Sequence, residues 1–373
     1  MKFVHLHNHT HYSLLDGLTQ IGELVQTAIN DGAPAVAITD HGVMYGVIEF
    51  YQKCKKAGIK PIIGVEMYMA PGSRHDKSTK SDERNYHLLL LAKNQAGYKN
   101  LLKLTAIAHL EGYYYKPRID WKVFREHAEG IIACTACIGG EIPQLIRAGK
   151  LDRAKERALE FRELLGHDSF YLEIQHHPEL EEQEPINQAL IKMSKELYIP
   201  LVATNDLHYL RPDDYDAQDV LLCLQTKHKK NEDNRMAMHG RDYYYKTAKE
   251  MHEHFKHVPE ALENTLKIAE MCDFEIELGN IQLPYFEVPA GEDGNSYLRK
   301  LCEQGLVRHY KMTYAEIDQE KKERMDYELS VIEKMGWPSY FLIVSDFINW
   351  AKNNGIVVGP GRGSAAGSFV CYL

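Results

Sequence analysis

FVHLHNHTH, residues 3–11, sets histidines at every second position, His5, His7, His9 and His11, with Val4 and Leu6 among them. Period two is the spacing of a β-strand, where residues two apart share a face. A strand at 3–7 leading into this stretch therefore aims His7 and His9 at one point. The pattern is weak alone, and its context gives it weight. Six further apolar runs read as strands: AVAIT (35–39), PIIGVEMYM (61–69), HLLLLA (87–92), GIIACT (130–135), SFYLEI (169–174) and PLVATN (200–205). Amphipathic stretches lie between them, such as IGELVQTAINDG (21–32) and LDRAKERALEFRELLG (151–166). In the second, Leu151, Ala154, Ala158, Leu159 and Phe161 fall roughly on one helical face. Strands apolar on both faces that alternate with helices imply a parallel sheet. Seven such units predict an α/β fold in which parallel strands form a closed or nearly closed barrel; an open doubly wound sheet is the alternative.

Loops after the C-terminal ends of parallel strands converge on one mouth. Potential ligands gather at those places: His7 and His9 after the first strand, His41 after the second, Glu66 in the third, Cys137 after the fifth, and Asp206-Leu207-His208 after the seventh. Any one of these taken singly reads as a hydrogen-bonded polar side chain. The set reads as a metal site, because chance would have to bring several unrelated polar residues to one rim. Imidazole, carboxylate and thiolate donors suit zinc, manganese or iron better than magnesium alone. Clustered divalent ions lower the pKa of a shared water and clamp a phosphoryl oxygen, so phosphoester hydrolysis is the chemistry to expect. His176 and His177 follow the sixth strand and stand near the same cleft. His252, His254 and His257 read as part of an exposed helix, and Asp213, Asp214, Asp216 and Asp219 as acids favouring a helix N-terminus after Pro212.

The 373 residues exceed one domain of about 150 residues. Hydrophobic residues make up 44% and charged residues 26%, a globular balance that excludes a disordered or collagen-like chain. A net charge of −9 excludes a whole-chain electrostatic footprint for nucleic acid and leaves room only for a local basic groove. Seven scattered cysteines point to a reducing, cytoplasmic setting, and Cys134-x-x-Cys137 has no second pair to make a zinc ribbon. No apolar run reaches the ~18 residues of a membrane span, and the start has no secretory leader. LGNIQLPYFEVPAGEDGNS (278–296) carries the prolines and glycines of a boundary. Beyond it, 296–335 reads as helical, with Thr313 and Glu316 as a capping box. An apolar segment then ends at Leu373 without a closing turn, which reads as the front part of a longer protein.

The motifs HLHNHTHYSLLDG, AITDHG, GVE, YHLLLLA, CTACIGGEI and ATNDLHYL resemble, in order and spacing, those of a polymerase and histidinol phosphatase (PHP) domain. Their order and spacing are similar to those in the family of bacterial DNA polymerase III alpha subunits, and GWPSYFLIVSDFINWAKNNGIVVGPGRGSAAGS (336–368) resembles the start of their palm. The resemblance implies a PHP-type distorted (β/α)7 barrel over 1–280, followed at 281–373 by an incomplete α+β palm segment. It implies the metal ligands His7, His9, Asp16, His41, Glu66, His87, Cys137, Asp206 and His208; Asp16 and His87 rest on it alone. His5 and His11 have no ligand role in the pattern and are expected to act structurally or behind the ligands. His7, His9, Asp206 and His208 are expected to carry catalysis through bound Zn, Mn or Fe. Gly361, Arg362, Gly363, Ser364 and Ser368 are expected to form a nucleotide phosphate loop, glycines letting backbone amides approach phosphate. The function implied is a metal-dependent 3′→5′ exonuclease within a DNA-directed DNA polymerase that takes primer-template and nucleoside triphosphates with Mg. The resemblance also implies that the sliding clamp and other holoenzyme subunits are partners through regions beyond this sequence, and that the palm's catalytic carboxylates lie beyond it. The alternatives are a phosphatase of the histidinol-phosphatase type and a non-catalytic structural PHP platform.

Overall fold

The computed structural model describes residues 1–78, 85–238, 240–359, 361 and 363–373. The chain divides into two compact units, Met1–Ile276 and Glu277–Leu373. In the first, one curled sheet runs in the order β1-β2-β3-β5-β6-β7, with β4 beside β2. The strands are β1 Ala35–Ile38, β2 Lys60–Met69, β3 Tyr86–Ala92, β4 Arg118–Ile119, β5 Ile131–Cys134, β6 Phe170–Gln175 and β7 Leu201–Thr204. Six of the seven predicted runs thus become strands. Helices alternate with most of them, among them Ile21–Asn30, Val47–Ala57, Leu151–Leu165 and Gln183–Leu197.

The first run, at 3–7, is the exception, and it closes the sheet in another way. This extended segment joins both ends of the strand path. Ala37 N donates to His5 O (3.1 Å), Leu207 N to His7 O (3.1 Å) and His9 N to Leu207 O (2.7 Å). Side chains supply other rungs of the ladder. The Asn8 amide donates to His5 O and Ala37 O, both at 2.9 Å, and the Thr39 hydroxyl accepts from Asn8 N (2.8 Å) and donates to Asn8 O (3.0 Å). These bonds satisfy the buried backbone without a continuous strand.

The expectation of uniformly parallel strands is also corrected. β1–β2, β5–β6 and β6–β7 pair in parallel, but β3 is antiparallel to both β2 and β5. Parallel neighbours need a long crossover, usually helical, to bring the chain back. Between β2 and β3 the described residues, 70–78 and 85, hold no helix. The chain therefore turns round and comes back along the strand it has just left.

Two apolar layers follow from the two faces of the strands. Val36, Ile38, Ile63, Val65, Leu88, Leu90, Leu172 and Ile174 pack against the helices. Ala35, Ala37, Ile62, Leu89, Leu91, Ile132, Tyr171 and Val202 form the inner cluster, closed by Ile268, Ala269 and Cys272 at the end of helix Pro259–Met271. Burial on both faces is what made these runs nearly continuous in apolar residues. Among the described residues no helix is long and apolar enough to cross a membrane.

The second unit holds helices Gly294–Tyr310, Gln319–Met335 and Pro338–Asn353 around Leu298, Cys302, Leu306, Met325, Leu329, Ile332 and Leu342. Thr313 N and Oγ1 both donate to Glu316 Oε2 (2.8 and 2.9 Å). That pair caps a turn between two helices, not the interior of one. The α+β character expected here does not emerge: among its described residues the unit has no strand. Ile356 and Val357 in the apolar GIVV run are exposed, because no described neighbour offers them a ladder.

Candidate metal centre

Period two carries the inner face of each strand outward to one rim. Ile62 leads to Glu66, Ala37 through Thr39 to His41, Tyr171 to Glu173, and Val202 through Thr204 to Asp206. On the parallel strands these residues stand at or beyond the C-terminal part. β3 runs the other way, so its first residues lie at the same rim, and His87 pairs in register with Tyr68. Asp16 enters from the turn after His9. Its neighbour Gly17 passes so close to the strand segment that a Cβ there would lie 2.2 Å from Thr10 O.

The nine residues of the implied ligand set come together. His7 Nε2 lies 3.3 Å from Glu66 Oε1 and 3.2 Å from Asp206 Oδ1, and His9 Nε2 lies 3.1 Å from the same Asp206 oxygen. His41 Nδ1 is 2.6 Å from Glu66 Oε2, and its Nε2 is 3.1 Å from Asp16 Oδ2. His87 Nδ1 is 3.0 Å from Glu66 Oε1 and 3.5 Å from Cys137 Sγ. His208 Nε2 stands 4.0 Å from Asp16, and its ring is 4.4 Å from that of His9. Three triads, His9-His41-His208, His7-His9-Glu66 and His41-Glu66-His87, each bring their donor atoms within 4.8 Å of one another. Left-handed backbone concentrates at the same rim, at Asp206 (φ 51°), at Leu15 beside Asp16 (φ 59°) and at Ala136 beside Cys137 (φ 61°). Such conformations persist where the surrounding fold dictates them, commonly at functional sites.

The arrangement fits divalent metals by an observation independent of the residue types. His7 Nε2, His9 Nε2, His41 Nδ1, Glu66 Oε2 and Asp206 Oδ1 are all buried, and the 2.6–3.5 Å contacts that link them are ion-pair approaches without the geometry of a hydrogen bond. Native interiors rarely leave such atoms unsatisfied, and these five point at one another. The charges are matched as well. Burial opposes charge on the Glu66 carboxyl, but His87, His41 and His7 hold it well below the usual carboxylate range. Asp206 and Asp16 are likewise lowered by surrounding imidazoles against their burial. Burial disfavours charge on His41, yet Glu66 and Asp16 raise it to about 10. Burial and the neighbouring His41 and His208 push His9 down to about 3, leaving it neutral. Cations binding here would displace the protons that balance the carboxylates.

A second layer fixes the first. Glu173 Oε1 accepts from His7 Nδ1 (2.7 Å), Gln175 Nε2 (2.9 Å) and the Thr204 hydroxyl (2.5 Å), which sets the imidazole's orientation. Asp40 accepts from Thr10 N (2.6 Å), Thr10 Oγ1 (2.9 Å) and Ser13 Oγ (2.8 Å), tying the Asp16 turn to the end of β1. Sequence reading passed over Glu173, although a charged residue within the apolar FYLEI run was a signal. Glu173→Gln keeps its volume and removes its charge. Calorimetric titration with Mn²⁺ is expected to show affinity weakened about 10- to 100-fold; unaltered affinity would mean that Glu173 does not support a ligand.

The other histidines divide. His5 Nε2 bonds Lys246 O at 2.7 Å, and His11 sits at the partly exposed turn, so neither joins the ligand cluster. His176 stacks on His254, their ring centroids 3.9 Å apart. His177 is 2% exposed, stacks on Tyr243 at 4.2 Å, and has no partner for either ring nitrogen. Burial pushes it down from 6.5 to about 3. The unfolded chain then binds a proton that the fold refuses, so stability is lost as pH falls from 6.5 towards 3. His177→Phe keeps the ring and the stack. Its stability in urea titrations is expected to fall less steeply with acid, by about 1.4 kcal/mol per pH unit; equal slopes would refute this.

Asp216 pairs with Lys230 (3.0 Å), and Asp219 accepts from Arg235 Nη2 at 2.8 Å, while Asp214 accepts from Arg211 N at 2.9 Å. The acidic stretch is thus structural. In the glycine-rich segment, Gly361, Gly363 and Ser364 are exposed, Arg362 lies outside the described residues, and Ser368 donates to Glu328 Oε2 (2.7 Å). Glu328 also accepts from the amides of Phe369 and Val370, at 3.0 and 2.9 Å.

A curled α/β sheet thus gathers imidazoles, carboxylates and a thiol at one rim, a donor set suited to divalent metals. Residues 5–177 match the PHP domain family, and residues 296–373 match the bacterial DNA polymerase III alpha NTPase domain. Asp206 and His208 lie past the first match and join the cluster by geometry. DNA polymerase III subunit alpha is 48% identical in Borreliella burgdorferi, 44% in Treponema pallidum and 40% in Thermus aquaticus, each alignment covering 100% of this chain. Over its whole length the chain is thus similar to bacterial DNA polymerase III alpha subunits. It spans 32% of the length of the first two relatives and 35% of the third.

Proposed function

We propose that Met1–Ile276 is a metal-dependent 3′→5′ exonuclease that removes mispaired nucleotides from a primer end. The observation that carries this reading is the set of five buried, unsatisfied donor atoms on His7, His9, His41, Glu66 and Asp206. His7, His9, Asp16, His41, Glu66, His87, Cys137, Asp206 and His208 would hold Zn, Mn or Fe. When bound, such ions activate water and neutralise charge developing on a phosphodiester. The chain's own residues prepare the site. His9, kept neutral, offers a nitrogen lone pair and not a proton. Burial, Asp206 and Glu66 push the Cys137 thiol well above its usual range, so it stays protonated until a cation takes the proton's place. Glu173 holds His7 in one orientation.

In the full-length subunit this unit would serve a cytoplasmic, Mg-dependent DNA-directed DNA polymerase acting on primer-template and nucleoside triphosphates, assembled with a sliding clamp and other holoenzyme subunits. Gly361, Arg362, Gly363, Ser364 and Ser368 would lie along the nucleotide's phosphates there. The direct test is degradation of a mispaired primer with added Mn²⁺ or Zn²⁺. Wild-type chain is expected to shorten it from the 3′ end, and His9→Ala to leave it intact. Turnover of histidinol phosphate without attack on DNA would reverse the reading.

A further inference from the structure

Beside the metal centre stands a loop whose construction hydrolysis alone does not require. Gly112–Pro117 leads from the end of helix Gln95–Leu110 to β4. Two backbone hydrogen bonds pinch its tip, Tyr114 N to Lys116 O (3.1 Å) and Lys116 N to Tyr114 O (2.7 Å). Tyr115 between them is held in the left-handed region at φ 55°, an uncommon place for a bulky side chain. Buried Arg118 anchors the base by donating to the carbonyls of Gly112 (3.0 Å), Arg74 (3.1 Å) and Asp76 (2.8 Å). The result is that Tyr115 is 72% exposed and Tyr113 53% exposed.

The same loop reaches the metal centre. Lys116 Nζ lies 5.4 Å from the centroid of the Tyr68 ring. Tyr68 in turn stacks on His41 at 5.7 Å and meets His87 edge-on at 5.2 Å. Pro117 packs where Gly42, next to His41, lacks a side chain; a Cβ on Gly42 would sit 2.7 Å from Pro117 Cγ. An ammonium group therefore stands one aromatic ring away from two candidate ligands, and the same loop carries two exposed tyrosines, Tyr113 and Tyr115. Against a net charge of −9, this is the kind of local cation that an anionic strand requires.

We infer that this loop binds the unpaired nucleotides at the 3′ end: Tyr115, whose ring meets Tyr114 edge-on at 4.8 Å, stacks on a base while Lys116 meets a backbone phosphate. The inference rests on the exonuclease reading and names its substrate contacts. Aromatic faces combined with a cation are how proteins hold single strands without reading sequence. A paired terminal base offers its faces to the duplex stack, so the loop favours frayed, mispaired ends over paired ones.

The test uses the full chain and a single-stranded oligonucleotide with 2-aminopurine at its 3′ terminus, whose fluorescence is quenched on stacking. Wild-type chain is expected to quench it. Tyr115→Ala loses the quenching and weakens binding about tenfold, while Tyr115→Trp retains both. Lys116→Ala weakens binding and lowers the salt dependence of log Kd by about 0.7. Equal affinity and quenching in Tyr115→Ala and wild type, both folded by circular dichroism, would overturn the inference, as would a blunt duplex bound as tightly as the single strand. Neither readout needs turnover. A chain that quenches in a Tyr115-dependent way but never degrades DNA would sink the exonuclease reading and leave the loop's role standing. A chain that degrades DNA while Tyr115→Ala binds and quenches like wild type would do the reverse.

Discussion

Asp206→Asn is expected to reduce Mn²⁺-dependent hydrolysis of bis(p-nitrophenyl) phosphate, and of DNA, by more than about 100-fold, beyond what losing an outer-shell partner of a metal ligand typically costs. One Asp206 oxygen lies 3.2 Å from His7 Nε2 and 3.1 Å from His9 Nε2, so it serves both imidazoles at once. The substitution isolates charge from shape. Asn has the same outline, and it tolerates the left-handed backbone that Asp206 adopts at φ 51°. Its carbonyl oxygen can occupy the same place but carries no net charge to balance a divalent ion. The variant should therefore fold, with an unchanged near-ultraviolet circular dichroism spectrum, and be inactive. Activity within a few-fold of wild type would show that the catalytic ions sit elsewhere.

The second large effect is thermal. Metal that binds the fold and not the unfolded chain stabilises by about 2.7 kcal/mol at a hundred times its Kd. For a unit spanning Met1–Ile276 that corresponds to a rise in Tm of roughly 5 °C. Scanning calorimetry with Mn²⁺ or Zn²⁺ is expected to raise the transition of the first unit by that amount, and a chelator to abolish the rise. Asp206→Asn should show little of it. A wild-type transition indifferent to both metal and chelator would indicate that the unsatisfied atoms on His7, His9, His41, Glu66 and Asp206 are satisfied by something other than a cation.

Local pattern made most of the strands and helices of the first unit legible, because strands buried on both faces leave long apolar runs. It also gave the His-x-His and Asp-x-His pairs, whose side chains are read off period two. What it missed depended on direction and distance. Nothing in HLLLLA tells which way the strand runs, so His87 could not be placed at the rim without knowing that β3 is antiparallel. Asp16 lies in a turn, where no periodicity applies. Glu173 is a single charge in an apolar strand, and its role is set by Thr204 and His7, which are distant in sequence. The 3–7 segment failed as a strand because Asn8 and Thr39 side chains took over hydrogen bonds that backbone rungs would have made. In the second unit, the charged helical pattern concealed a break at Lys311–Asp318, where Thr313 and Glu316 cap a turn.

The seam formed by residues 5–9 has a consequence for the order of events during synthesis. Its backbone bonds run on one side to Ala37 and Thr39 and on the other to Leu207. At about 5–20 residues per second on the ribosome, the partner at 207 is made roughly ten to forty seconds after the histidines that it must meet. Until then His7 and His9 hang on half a seam, with Asp206 and His208 still unmade. The candidate ligands of the two strand ends thus come together only in the step that closes the sheet.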